Sequence, residues 1–323
     1  MRVVQVTQFG GPQALILGEA LDPVPGPGQV VVEVAVAGMT FVETQIRRGV
    51  DRWHERPRLP YVPGGLVAGR VGTVGERVDP EWLGRRVIAR TGETGGFAER
   101  AVAAFGDLFP VPGGLGLPEA VALYSDGSTA LGLAENARIA SGDWVLVEAA
   151  AGGVGSLLVQ LAAVAGARVI GAARGSRKLE VVRELGVDVV VDYSEADWVE
   201  RVLDATGGAG PDVVFDGVGG QIGRAAFEMT ARGGRFSVHG AASGDVTLVD
   251  PEEARRRGVD VIGIGQLSSF RPNVARWAQR MMSQAAAGLV RPIIGQTFPL
   301  EQAADAHAAI ENRTAVGKTL LLI

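Results

Sequence analysis

The chain contains no cysteine. That excludes a disulfide framework, a thiolate nucleophile, an iron–sulfur cluster and a cysteine-rich structural zinc site. Histidine is nearly as scarce, with three in 323 residues, so imidazole ligands and bases are few. Aromatic residues make up only 6% of the sequence, and no run of about 18 uninterrupted apolar residues is present to span a bilayer. The longest basic run is Arg255–Arg257, and 31 Lys and Arg against 36 Asp and Glu leave a net charge of −5. Nucleic acids and anionic membranes both require a clustered positive field, so neither is an expected partner. The N-terminus MRVVQVTQFGG lacks the charged-then-apolar pattern of a signal peptide, and a cytoplasmic location is expected.

What is present is glycine, 47 of it, within a composition that is 47% hydrophobic. The length suggests about two domains at roughly 150 residues each. The first third carries short Val-rich runs between Gly and Pro turns, VVVEVAVAG at 30–38, GRVGTVG at 69–75 and RRVIAR at 85–90, which read as strands of an irregular β unit. Asp51–Pro63 holds three prolines and reads as a long loop. From about residue 119 Ala-rich helical stretches alternate with apolar strands: WVLVE (144–148), RVIGA (168–172), DVVVD (188–192), DVVFD (212–216), GRFSVHG (234–240) and VDVIGIG (259–265). This rhythm fits a parallel sheet covered on both faces by helices. The tail from Asn273 holds two amphipathic stretches and ends in GKTLLLI, a strand expected to return to the first β unit.

Strand WVLVE runs into AAAGGVG (149–155) and then a helix. A Gly-rich turn between strand and helix lets the backbone approach a pyrophosphate, whose charge is stabilised by the positive end of the helix. The spacing, Ala149-x-x-Gly152-x-x-Gly155, is a variant of the dinucleotide fingerprint. At the end of the second strand, where an acid would select NAD, the sequence instead gives GAARGSRK. Arg174, Ser176, Arg177 and Lys178 supply cations and a hydroxyl suited to the 2′-phosphate of NADPH. No GxSxG nucleophile elbow is present, so a serine hydrolase has no support.

With these motifs, and with GGP (10–12), FVETQIRRG (41–49), DGVGG (216–220) and NRTAVGK (312–318), the chain resembles the zinc-free quinone oxidoreductase group of the medium-chain dehydrogenases/reductases over its whole length. The resemblance implies an α/β protein with a GroES-like, mostly β catalytic domain (1–120 and 266–323) and a Rossmann domain with a doubly wound parallel sheet (121–265). It implies NADPH in a cleft between them, and a homodimer. Zinc-dependent relatives place a Cys and a His-Glu pair where this chain has Thr40, Gly65 and Leu66, none of which ligates zinc. The implied cofactor contacts are Phe41 and Gln45 near the nicotinamide, Thr129, then Gly152, Gly153 and Val154 at the pyrophosphate. Arg174, Ser176 and Lys178 would meet the 2′-phosphate, and Tyr193 the adenosine. Gly217, His239, Gly240, Ala241, Ile264, Gln266 and Arg313 would complete the surface.

Departures fall on the substrate side. The group commonly has Asn for Thr40, Tyr for Gln45 and Lys-Gly for Asp126-Gly127. Hydride addition to a quinone or an α,β-unsaturated carbonyl leaves an oxyanion that must be protonated. Candidate acids are Tyr124, Asp126 and Thr40, with water as the alternative and Asp126 equally suited to N-cap a helix beginning near Ser128. His307 reads as an ordinary histidine, whereas His239 follows the fifth strand and is expected to touch cofactor. The basic stretch with Arg47, Arg48, Arg52, Arg56 and Arg58 would also suit carrier phosphates, as in an enoyl-thioester reductase. A non-enzymatic NADPH-binding protein is the remaining alternative.

Overall fold

The computed structural model describes residues 1–323 and divides into two compact units, Met1–Tyr124 with Ile293–Ile323, and Ser125–Pro292. In the first, β1 (Arg2–Val6) and β2 (Leu15–Glu19) form an antiparallel pair. β3 (Gln29–Gly38), α1 (Phe41–Arg48), β4 (Leu66–Val74), β5 (Arg86–Arg90), β6 (Arg100–Ala104), β7 (Leu108–Pro110) and α2 (Leu117–Ala122) follow. β3 is the hub, antiparallel to both β4 and β6, with register shifts at Val31/Val32 and Val34/Val36. Its Val30, Val32 and Val34 join Val4, Val6, Val67, Val71, Val87 and Phe97 in one core. Asp51–Pro63 is irregular as expected.

The second unit runs α3 (Ser128–Ala137), β8 (Trp144–Val147), α4 (Gly153–Val164), β9 (Arg168–Ala173), α5 (Ser176–Glu184), β10 (Val189–Asp192), α6 (Trp198–Ala205), β11 (Val213–Asp216), α7 (Gly220–Met229), β12 (Arg235–Val238), α8 (Pro251–Arg257), β13 (Asp260–Ile262) and α9 (Val274–Ala286). Its six strands are all parallel, in the order β10-β9-β8-β11-β12-β13. This is the doubly wound arrangement, with its topological switch between β8 and β11. The chain then returns to the first unit with β14 (Ile294–Pro299), α10 (Ala303–Glu311) and β15 (Lys318–Leu322). β15 pairs antiparallel with β3 and parallel with β14, as GKTLLLI suggests.

Two expectations differ from the structure. Residues 266–292, assigned from the sequence to the catalytic unit, pack with the second unit, and residues 121–124, assigned to the Rossmann unit, belong to the first. Trp277 of α9 stacks edge-on against Phe270 at 5.0 Å and donates from Nε1 to Glu135 Oε2 of α3 at 2.8 Å. The amphipathic face of α9 buries Trp277, Ala278, Met281 and Met282 there. Asp126 does not N-cap α3, because Leu123–Gly127 is a π-helical turn that runs directly into it, and Gly127 is itself helical.

His307 lies on α10, fully buried and edge-on to Phe97 at 6.0 Å, with neither ring nitrogen hydrogen-bonded. Burial, reinforced by Arg47, pushes it down to about 3. Its neutral form is favoured by folding. The stability it contributes is therefore present above about pH 6.5 and lost as the pH falls toward 3. His307→Leu, which sacrifices no hydrogen bond, is expected to shift the acid-unfolding midpoint to lower pH by several tenths of a unit or more, read by circular dichroism.

Candidate active site

β8 delivers the chain into a tight turn. Ala149 takes a positive φ of 49°, and Gly152 N–H donates back to Ala149 O at 2.8 Å. Gly152 is the N-cap of the 12-residue α4 and brings no capping side chain. A Cβ at Gly155 would stand 2.3 Å from Ala149 O, so only glycine permits this approach of helix to turn. The positive end of α4 therefore stands at the carboxyl end of β8, where a phosphate would be stabilised.

β9 ends in Ala172 and Ala173, without an acid. Arg174, Ser176 and Arg177 follow, all exposed, around Gly175 at φ 83°. The nearby acid, Asp192 at the end of β10, is engaged with the backbone. Its Oδ2 accepts from Gly175 N–H at 2.9 Å, and its Oδ1 accepts from Ser194 N–H at 2.9 Å. Burial would raise its carboxyl, but the hydrogen bonds from Ser194 and Gly175 and the Arg174 charge outweigh this and hold it below the usual range. The donors and cations beside β9 thus fit a 2′-phosphate, with Tyr193 on the neighbouring strand end, its N–H bonded to Ala173 O at 3.2 Å.

Beyond the switch point, the turns after β11 and β12 interlock. Asp216 Oδ1 accepts from Val218 and Gly219 N–H at 3.0 and 2.7 Å. Asp216 O accepts from His239 and Gly240 N–H at 2.8 and 3.2 Å. A Cβ at Gly217 would lie 2.9 Å from His239 Nε2. Burial depresses His239 to about 4 against the opposing pull of Asp216, so it is neutral at neutral pH. Gly217, His239, Gly240 and Ala241 are thereby gathered at one sheet end with Gly152, Gly153 and Val154. Ile264 packs on the second-unit core. The Gln266 side chain is committed to structure, donating to Ser237 Oγ and Val238 O at 3.0 and 2.9 Å.

Glu148, directly after β8, was not singled out in the sequence. It is fully buried, as is Asp216, and neither Glu148 oxygen nor Asp216 Oδ2 meets a donor. Burial, then the neighbouring Asp216, push the Glu148 carboxyl well above its ordinary range. The available signal was an acid ending the apolar strand WVLVE.

In the first unit, Thr40 is the N-cap of α1 in a capping box. Its Oγ1 accepts from Glu43 N–H at 3.3 Å while Glu43 Oε2 accepts from Thr40 N–H at 2.7 Å. Phe41 opens the helix, and Gln45 Nε2 donates to Thr44 Oγ1 at 3.1 Å. Arg47, near the end of α1, pairs with Glu311, the last residue of α10, and Arg313 follows just beyond. Tyr124 is 8% exposed and edge-on to Phe109 at 5.6 Å, and burial raises its phenol. In the second unit, Thr129 Oγ1 donates to Ser125 O at 3.0 Å. Arg47 is fully buried and donates to Gly10 O at 2.7 Å, and Arg56 stacks over Phe9 at 3.9 Å. These two members of the basic stretch are thus occupied within the fold.

A doubly wound sheet with a Gly-rich first turn, joined to a β unit of this topology, defines a dinucleotide-binding dehydrogenase/reductase. Residues 26–113 match the alcohol dehydrogenase GroES-like domain, and residues 153–286 the family described as zinc-binding dehydrogenase. The chain is 32% identical to the quinone oxidoreductase of Rattus norvegicus over 326 residues, covering 100% of this chain and 98% of that one. The Escherichia coli quinone oxidoreductase complexed with NADPH superposes with a TM-score of 0.90 at 28% identity, covering 100% of both chains. A mycobacterial protein complexed with NADPH gives 0.90 at 31% identity, again covering 100% of both. The chain belongs to the quinone oxidoreductase family of the medium-chain dehydrogenases/reductases.

Proposed function

We propose that the protein is an NADPH-dependent, zinc-independent reductase of quinones or α,β-unsaturated carbonyls. The observation that carries the cofactor half is the end of β9, where Arg174, Ser176, Arg177 and Lys178 stand and the nearest acid, Asp192, is bound to the Gly175 amide. NADPH supplies a hydride when bound. The chain supplies the pyrophosphate seat at Gly152–Val154, the 2′-phosphate contacts at Arg174, Ser176 and Lys178, and nicotinamide contacts from Phe41 and Gln45. Thr40, Gly65 and Leu66 offer no zinc ligand, so the acceptor must be one already activated by conjugation.

The oxyanion formed on the acceptor takes its proton from Tyr124 or from water. Tyr124 is held in its protonated form by burial, whereas the Thr40 hydroxyl belongs to a capping box and the Asp126 carboxylate lies against Gly153. The enoyl-thioester reading loses support from the basic stretch, since Arg47 is buried and Arg56 is stacked. The protein acts as a homodimer through the outer edge of β13, which ends the second unit's sheet, and light scattering after size exclusion tests this.

The deciding experiment is NADPH and NADH consumption with a panel of quinones, enones and enoyl-thioesters, alongside fluorescence titration of each cofactor. NADPH-selective reduction of a quinone or enone is the expected result. A thioester preference, or binding without turnover, would overturn the proposed activity. Arg174→Ala with Lys178→Ala is expected to raise the NADPH dissociation constant about tenfold or more per contact, a charge-assisted hydrogen bond being worth about 1.5–3 kcal/mol. NADH binding should stay within about twofold, and equal losses for both cofactors would refute the assignment of the 2′-phosphate.

A further inference from the structure

The proposed function places a pyrophosphate at the start of α4, and a carboxylate of this chain already stands there. Asp126 belongs to the π-turn Leu123–Gly127. Ser125 Oγ donates to its Oδ1 at 2.9 Å. The other oxygen faces Gly153, the first residue of α4, so closely that a Cβ built on Gly153 would lie 1.9 Å from Oδ2 and 2.9 Å from the carboxyl carbon. Gly153 has no positive φ to explain its identity. Its missing side chain makes room for Asp126.

A carboxylate at a helix N-terminus is stabilised by the same partial positive charge that attracts a phosphate. One helix end cannot serve two anions well, because at a few ångströms their mutual repulsion survives solvent screening. We propose that Asp126 is an internal anion seated at the N-terminus of α4 which the cofactor's pyrophosphate must displace. Asp126 therefore sets how tightly the dinucleotide is held and how fast it leaves. This inference rests on the cofactor reading above and adds to it a residue of opposite effect. The site's glycines and cations favour the cofactor, whereas Asp126 opposes it.

The test is binding, not turnover. Dissociation constants for NADPH, NADH, ADP-ribose and adenosine 2′-monophosphate are measured by titration for the full-length protein and for Asp126→Asn and Asp126→Ser. The first three ligands carry the pyrophosphate and the fourth does not. Both variants are expected to bind all three pyrophosphate ligands about tenfold more tightly, with the gain shrinking as salt rises. Adenosine 2′-monophosphate should bind as before, and stopped-flow release of NADPH should slow by a similar factor. The two variants guard against an effect peculiar to one side chain, and their folding is checked by circular dichroism.

Unchanged or weaker NADPH binding by the variants, with adenosine 2′-monophosphate unaffected, would overturn the role of Asp126 and leave the cofactor reading intact. Tightening that extends equally to adenosine 2′-monophosphate would also overturn it, since the effect would not depend on the pyrophosphate. If neither NADPH nor adenosine 2′-monophosphate binds the unaltered protein, the cofactor reading itself fails, and this inference with it.

Discussion

Arg47→Ala is expected to destabilise the protein by about 3–5 kcal/mol, the range for removing one partner of a buried ion pair, read as a lowered midpoint in urea with an unchanged slope. Arg47 is fully buried on α1. Its Nη1 donates to Gly10 O at 2.7 Å and its Nη2 meets Glu311 on α10. One side chain thus ties the loop after β1 and two helices of the first unit together. Burial is dear to the cation, and desolvation, with Arg48 adding to it, lowers its pKa to about 10. Removing the guanidinium is worse, since it strands the Glu311 carboxylate and the Gly10 carbonyl and leaves a cavity. Arg47→Met with Glu311→Leu, which removes both charges, is expected to recover most of the loss, because a well-packed apolar pair often equals a buried ion pair. A loss by the single variant within experimental error of zero would mean that solvent replaces the arginine.

Arg47 also shows where the sequence stops being informative. FVETQIRRG exposes two adjacent arginines as text, and periodicity cannot say that one is 0% exposed while its neighbour faces solvent. The partner that buries it, Glu311, lies more than 260 residues away, and no local pattern encodes that pairing. By contrast, the parallel sheet was legible strand by strand. Near-continuous apolar runs such as WVLVE and DVVFD are buried on both faces, and this is the property that makes them readable. The Gly-rich turn was legible for the same reason as its chemistry, since Gly155 is demanded by the backbone contact with Ala149.

The misassigned stretch at 266–292 has a different origin. Its amphipathic pattern fixed a helix over α9 but not the surface that receives it. That surface depends on Gly132 and Glu135 of α3, where Gly132 leaves room for the Trp277 ring and Glu135 accepts from its indole. Asp126 likewise carries an N-cap signature in LYSDGSTA. The signature fails because the helix arrives unbroken through a π-turn, and a cap is needed only where a helix begins.

Glu148 and Asp216 give the second large effect, and its sign follows from their burial. Both carboxyls are fully buried, Asp216 Oδ1 holds the Val218 and Gly219 amides, and the remaining oxygens have no donor in the rest of the protein. They can satisfy each other only by sharing a proton, and the raised Glu148 carboxyl, desolvated first and then repelled by Asp216, is the group that keeps it. In the unfolded chain Glu148 ionises near pH 4.3. The folded value is higher, so Glu148 leaves stability undiminished below about pH 4.3. Between that pH and the folded value stability falls by about 1.4 kcal/mol per pH unit, as the unfolded state alone releases the proton.

Glu148→Gln keeps the shape and a permanent N–H for Asp216 while removing the titration. It is expected to match the unaltered protein near pH 4.5 and to exceed it by a margin that widens as the pH rises toward 8, measured by urea unfolding at both pH values. Because His239 and His307 remain in both proteins, their acid-side contributions cancel in the comparison. Asp216→Ala should act in the opposite direction at every pH. It strands two buried amides that lose charge-assisted bonds of about 1.5–3 kcal/mol each, and it loosens the turn that holds Gly217 against His239. A Glu148→Gln protein with the same pH dependence as its parent would show that Glu148 is ionised in the folded state. The proton shared beneath the Gly-rich turn would then have to be abandoned as the explanation for buried carboxyl oxygens that meet no donor.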